Sequence, residues 1–434
     1  MRHAPLPLLC AFALATASAL PGQIPLDTTA LDRGATARLT TYLDGVVGRG
    51  EAAGIVAVVL QHGRVVYAHA NGMADVEAAR PMTVDKLFRI ASQSKAITTA
   101  AALTLVEEGR LALSDPVAKF LPDFATATVG ERFDSAGTSR LREVPLAHAI
   151  TIRELMTHTA GMSYGRESWL EKAYAAQGLG PEAGHGWYFA HKTTDICTAV
   201  TPLAHLPLAA QPGSRFVYGY SVDVLGCIVE RITGQSLATV IHDRITEPLG
   251  MRDTKFCLNG RDAARLATVY SLRNRALTRA PDGPLGQGDY VDGPCKAFAG
   301  GAGLLSTATD YATFLEMIRQ GGTLNGHRIL SPATVSLMTH DAIGTEYRAD
   351  GEAGFGLGFE VWHNPAAAGR YGAPGQFGWG GAYHSNYWVD PAYDLVAVVM
   401  TQLLPADGST LPDRFRTMVY QTLGAPTQNG PPPE

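Results

Sequence analysis

Basic residues cluster nowhere in this 434-residue chain, and acidic residues outnumber them by 40 to 35, for a net charge of −5. A nucleic acid therefore finds no electrostatic footprint here. Long apolar runs are also missing after the N-terminus, since no later segment approaches the roughly 20 residues of a membrane span. Neither Cys-x-x-Cys nor His-Glu-x-x-His occurs, and His185 and His191 stand in no ligand spacing, so no metal site is expected. Cysteine is scarce, at 5 in the whole chain, which rules out the disulfide framework that holds small secreted domains together. No internal repeat is visible, and biased composition is confined to the Pro-rich tail, residues 425–434.

What is present is a well-cored chain, 46% hydrophobic and with 47 glycines for its many turns. Its first 19 residues read as a secretory signal, with Arg2 and His3 as a polar head, Leu6 to Ala17 as apolar core and Ala17-Ser18-Ala19 as cleavage site. The mature protein is thus expected to be secreted or periplasmic. Leu9 ahead of Cys10 argues against a lipid-anchored cysteine. Of the remaining cysteines, Cys227 lies in the apolar helical run Val224 to Val229 and is expected to be a buried thiol. Cys257 and Cys295 fall in loop-like or strand-end contexts and are the expected disulfide pair.

Two β-branched runs, Gly54 to Leu60 and Val65 to Ala70, are split by His62-Gly63, a hairpin signal. A helix follows from about Ser92 to Glu108, with Gly109 as its stop. Residues 111–259 read as helix and loop, including a capping box at Thr151 to Glu154 and a helix from Val222 to Ile232 that ends at Gly234. Residues 260–300 read as long loops, and a further helix covers Thr309 to Gln320. Strands return at Leu357 to Trp362, Tyr383 to Val389 and Leu395 to Thr401, before a last helix, Pro412 to Leu423. The expected fold is α/β in content: an antiparallel sheet built from both chain ends (about 30–110 and 300–424), flanked by helices, with a mostly helical subdomain (about 111–299) inserted.

The chemistry concentrates in three stretches. Ser92-Gln93-Ser94-Lys95 is the only Ser-x-x-Lys in the chain, at the start of an Ala/Thr-rich helix. Residues three apart share a helical face, so the ammonium reaches the hydroxyl, and the free N–H groups of a helix start favour a developing alkoxide. That is an activated nucleophile with its base one turn away. The second stretch, Tyr218-Gly219-Tyr220-Ser221, places a tyrosine in a loop just ahead of a helix. The third, Phe377-Gly378-Trp379-Gly380-Gly381-Ala382-Tyr383, opens a strand with glycines whose bare backbone lets a ligand approach.

Together these stretches resemble the serine β-lactamase and penicillin-binding-protein superfamily, and within it the family VIII carboxylesterases, which are similar to class C β-lactamases. The resemblance covers nearly the whole chain after residue 19 and includes Thr151 to Met162, Gly300 to Asp310 and Trp388-Val389-Asp390-Pro391. It implies Ser92 as the acylated nucleophile, Lys95 as its proton acceptor and Tyr218 as a co-base that later protonates the leaving group. The backbone N–H groups of Ser92 and Ala382 would form the oxyanion hole. Tyr220 stands where relatives carry asparagine, and Trp379-Gly380-Gly381 replaces Lys-Thr-Gly. These three positions and Tyr220 would contact substrate.

Losing both that asparagine and that lysine disfavours carboxylated amides. The implied activity is hydrolysis of a small-molecule ester, short acyl chains favoured, with no cofactor. A β-lactamase or D-amino-peptidase of the same fold, a transacylase, and a non-catalytic module binding peptidoglycan or a protein remain alternatives. Gly161-Met162-Ser163-Tyr164-Gly165 matches the nucleophile elbow Gly-x-Ser-x-Gly, but a capped helix precedes it where that motif needs a strand, so Ser163 is not the expected nucleophile.

Overall fold

Eight strands from the two ends of the chain form one antiparallel sheet in the computed structural model. The structure describes residue 27 and residues 31–424, apart from 136–137, 186 and 349. The segment read as a signal and the tail from 425 lie outside the described residues.

We number the strands of this sheet β1 (Gly54–Gln61), β2 (Arg64–Asp75), β3 (Arg80–Pro81), β4 (Ala353–Phe355), β5 (Glu360–Trp362), β6 (Phe377–Gly381), β7 (Ser385–Asp390) and β8 (Leu395–Met400). Their order is β4-β5-β6-β7-β8-β1-β2-β3, so the N-terminal hairpin is joined to the C-terminal strands through β1 and β8, with Val58 opposite Val398.

Alternation along each central strand makes two cores. Val56, Val58 and Leu60 of β1, with Val396, Val398 and Met400 of β8, face one side. There they meet α2 (Ser94–Glu107) and α4 (Ala308–Arg319), through Ile97, Ala100, Phe314 and Leu315. Ile55, Ala57, Val59, Leu395, Ala397 and Val399 face the other side, against Leu39 and Leu43 of α1 (Arg33–Gly48) and Phe415 and Val419 of α5 (Leu411–Thr422). Each large apolar side chain so buried contributes about 1.5–3 kcal/mol, and a one-residue slip would exchange the faces, which pins the register.

The segment between the two sheet-forming parts holds α3 (Ser221–Thr233), which stops at Gly234 in the left-handed region at φ 70° and packs against α2. It also holds two hairpins where helix and loop were expected. Thr128–Ser135 pairs with Thr138–Pro145, and Tyr270–Arg273 with Ala276–Arg279. The first carries many polar and charged residues, such as Glu131 opposite Arg142 with an ion pair at 2.8 Å, and so has no apolar signature in the sequence. The second turns through Asn274 and Arg275, both at positive φ, and gains a parallel partner from Leu403–Ala406, a pairing no local window reveals.

Candidate active site

Ser92 lies in a 3-10 turn, Ala91–Gln93, that runs directly into α2. The turn is pinned from several sides. Ile90 donates to the Leu304 carbonyl at 3.1 Å, Ser94 Oγ accepts from the Leu304 amide at 3.0 Å, and the Tyr311 hydroxyl donates to the Gln93 carbonyl at 3.0 Å. Ala91 is held at φ 45°, which costs a non-glycine residue on the order of 1 kcal/mol and directs the next side chain out of the core. Its neighbours Ala91 and Gln93 are buried, whereas Ser92 is partly open.

Lys95, one turn on, is only 2% exposed, and its Nζ is fully engaged. Nζ donates to the Gly301 carbonyl at 2.7 Å and to the Tyr164 hydroxyl at 3.1 Å, and lies 3.4 Å from Ser92 Oγ. It also sits 4.6 Å from the centre of the Tyr218 ring. Gly301 reaches this position because it is a glycine: a Cβ there would stand 2.5 Å from Asp223 Oδ2. Its amide donates to Asp223 Oδ1 at 2.9 Å, so one glycine links the lysine to a carboxylate on α3. Asp223 is wholly buried, and Oδ2 has no hydrogen-bond partner among the described residues. Burial pushes its carboxyl up to about 6 against the pull of Lys95.

The tyrosines divide differently from the sequence-based expectation. Tyr218 lines the cavity, but its phenolic oxygen accepts a hydrogen bond from Trp379 Nε1 at 3.1 Å, and its ring, not its hydroxyl, faces Lys95. Tyr164, which the sequence reading passed over, supplies the hydroxyl on Lys95, and burial holds its phenol well above the ordinary range. Tyr220 is not a substrate contact. It is 1% exposed, accepts from the Gly180 amide at 2.9 Å and packs edge-on against Tyr164, a core aromatic behind the cavity wall. His158 backs Tyr218 with ring centres 4.6 Å apart, and burial, reinforced by Lys95, keeps its imidazole well below the usual range.

β6 forms the opposite wall. Gly381 abuts the Ser92 turn so closely that a Cβ would lie 2.6 Å from the Ile90 carbonyl oxygen. Ser92, Tyr164, Tyr218, Trp379, Gly380, Gly381 and Ala382 thereby line one cavity of about 530 Å³, which Trp187, Asn386, Glu360, Arg166 and Arg370 complete. This is an uncharged nucleophile with a proton carrier beside it, strand-end backbone opposite, and room for a small organic substrate.

Ser163 is elsewhere. Its Oγ bonds Glu167 and accepts from the Gly165 amide at 3.0 Å, and no strand precedes it, so the Gly-x-Ser-x-Gly stretch serves to deliver Tyr164. The cysteines need one correction. Cys257 and Cys295 are bonded as expected, but Cys227 is no thiol: it is joined to Cys197, with Cα atoms 4.9 Å apart, across two packed helices whose contact the sequence did not reveal. Asp223 did leave a trace, as a lone acid inside the apolar run Ser221 to Val229.

The family described as Beta-lactamase matches residues 39–419. Protein Rv1367c of Mycobacterium tuberculosis (strain ATCC 25618 / H37Rv) is 36% identical over 376 residues, which cover 83% of this chain and 88% of that protein. Esterase EstB of Burkholderia gladioli is 34% identical over 89% of this chain and 94% of its own. Among solved structures, "EstCE1, a hydrolase with promiscuous acyltransferase activity" superposes with a TM-score of 0.76 at 29% identity, covering 89% of this chain and 99% of that one.

Proposed function

This chain belongs to the beta-lactamase family, as an esterase-related serine hydrolase, and on that premise we propose that it cleaves carboxylic esters through an acyl-enzyme on Ser92. The observation that carries the reading is Lys95 Nζ, 3.4 Å from Ser92 Oγ and fixed by Gly301 and Tyr164. Ser92 Oγ attacks the ester carbonyl carbon while its proton passes to Lys95 Nζ. The carbonyl π pair moves onto oxygen, where the amides of Ser92 and Ala382 receive the charge. The oxyanion collapses, the C–O bond to the alcohol breaks, and the alkoxide takes a proton from the Tyr218 hydroxyl. Water then attacks the acyl-serine and loses a proton to the Tyr218 phenolate, the acid is released, and Ser92 regains its hydrogen from Lys95 Nζ.

Short acyl chains suit a cavity of this size walled by Trp379 and Trp187. Trp379 in place of a lysine favours esters over β-lactams at this position. Replacement of water by an alcohol gives acyl transfer, the promiscuous activity for which EstCE1 is described, and the same acyl-enzyme would serve it. We also place the mature protein outside the cytoplasm; two disulfides support that compartment.

The test is a panel of p-nitrophenyl esters of graded chain length beside a chromogenic cephalosporin, with fluorophosphonate labelling read by mass spectrometry. The label is expected on Ser92, Ser92→Ala should be inert, and Ser163→Ala should keep most of its activity. An inert Ser163→Ala beside an active Ser92→Ala would overturn the assignment.

A further inference from the structure

The cavity has lost the lysine of the third motif, yet it contains two guanidinium groups that the motif does not account for. Arg370 sits in the loop from β5 to β6, with its guanidinium carbon 4.6 Å from the centre of the Trp362 ring. Other shielded arginines have acceptors: Arg319 bonds Glu316 and Asp394, Arg265 bonds Asp253, and the buried Arg89 and Arg416 donate to carbonyl and amide oxygens. Arg370 has no carboxylate within 4.0 Å among the described residues, and its buried Nε has no acceptor. The acid that shares its cavity, Glu360, is already occupied by the Tyr347 hydroxyl at 2.6 Å and Trp362 Nε1 at 2.8 Å. Burial pushes the guanidinium below its ordinary range despite the opposing pull of Glu360 and Asp413, as expected of a cation short of counter-charge. Arg166 lines the same cavity, is stacked 5.7 Å from the Trp187 ring centre, and also has no acid partner among the described residues.

We propose that Arg370 is the seat of a carboxylate carried by the ester substrate, so that this enzyme takes half-esters and other acid-bearing esters in preference to neutral ones. The inference rests on the esterase reading and specifies its substrate. A guanidinium held over an indole face presents a planar donor fork, which matches the two oxygens of a carboxylate, and a walled cavity strengthens the pairing relative to water. Arg166 adds positive potential at the wall. Because the seat belongs to the loop before β6, the anion lies apart from the Trp379 position, and the ester carbonyl is left to Ser92 and the end of β6.

Two matched pairs of esters test this. The first is mono-4-nitrophenyl adipate beside its neutral methyl ester, with the charge on the acyl side. The second is 4-acetoxybenzoate beside methyl 4-acetoxybenzoate, with the charge on the alcohol side. In the parent enzyme kcat/KM should favour the anion in at least one pair. Arg370→Gln should lower that anion-to-neutral ratio by about tenfold or more, chiefly through KM, and Arg370→Lys should restore part of it. A ratio that Arg370→Gln leaves unchanged in both pairs overturns the proposal. Should Arg370→Gln fail to fold, adipate and adipamide are compared as inhibitors of neutral-ester hydrolysis by the parent enzyme: adipate should be at least about tenfold tighter, and equal inhibition overturns the proposal. Failure of the esterase reading would show separately, as no cleavage of the neutral esters and no fluorophosphonate on Ser92.

Discussion

Trp379 Nε1 donates a hydrogen bond to the phenolic oxygen of Tyr218 at 3.1 Å, joining the β6 wall of the cavity to the tyrosine whose ring faces Lys95. That bond fixes which way the hydroxyl faces. With the indole N–H supplied to its oxygen, the Tyr218 proton is free for another partner, and a developing phenolate is stabilised.

Trp379→Phe keeps the ring packing against Tyr218 and Phe355 but removes the donor. We expect kcat to fall about tenfold, the worth of one net hydrogen bond, and Tyr218→Phe to lose on the order of 10²-fold. Parent kcat in Trp379→Phe, measured on p-nitrophenyl butyrate, would mean that the bond does not orient Tyr218.

Lys95 depends on acceptors from two distant stretches, the Tyr164 hydroxyl and the Gly301 carbonyl. Tyr164→Phe should therefore lower kcat by about tenfold with little change in KM. Gly301→Ala should do more damage, because the new methyl would press on the Asp223 carboxylate and shift the carbonyl off Lys95 Nζ. Lys95→Ala sets the floor, at a loss of about 10²-fold or more. A Gly301→Ala enzyme with parent kinetics would remove this glycine from the mechanism.

Asp223 gives a pH signature. Its carboxyl titrates near the ordinary 3.8 in an unfolded chain and at about 6 in the fold. The native state thus binds that proton more tightly, and the resulting stability is full below the lower value and lost as pH rises through the upper one. Asp223→Asn cannot ionise and escapes the loss. Its stability relative to the parent should rise by on the order of 2–3 kcal/mol between about pH 4 and pH 7, read from urea midpoints at several pH values. A difference that does not change with pH would show that the carboxyl titrates normally.

Sequence and structure agree where signals are local and strong. The Ser92 turn, the hairpin around His62-Gly63, the stop of α3 at Gly234 and the strand at 395 were all legible, because alternation, spacing and glycine each act over a few residues. What was not legible depends on packing between distant parts. Tyr220 stands two residues from Tyr218 in the same stretch and was expected to contact substrate, but only the contacts with Tyr164 and Gly180 show that it points into the core. Tyr164 was in plain view beside Ser163, yet nothing local says that α2 will bring a lysine to it. Arg370 lies in a loop between two strands, where an arginine is ordinarily a solvated charge; only the fold folds it back over Trp362.

The pairing of β1 with β8 has a consequence for how the molecule comes into being. Val58 cannot meet Val398 until nearly the whole polypeptide has left the ribosome, which at about 5–20 residues per second leaves β1 with an open edge for tens of seconds. For that interval the first hairpin exposes one unpaired edge of a largely apolar strand, the form in which nascent chains aggregate. Ser92 is synthesised early, but the strand that completes its cavity, Phe377–Gly381, comes late. Nascent chains released before that point should therefore be inert and in need of a chaperone, however well their first hundred residues are made.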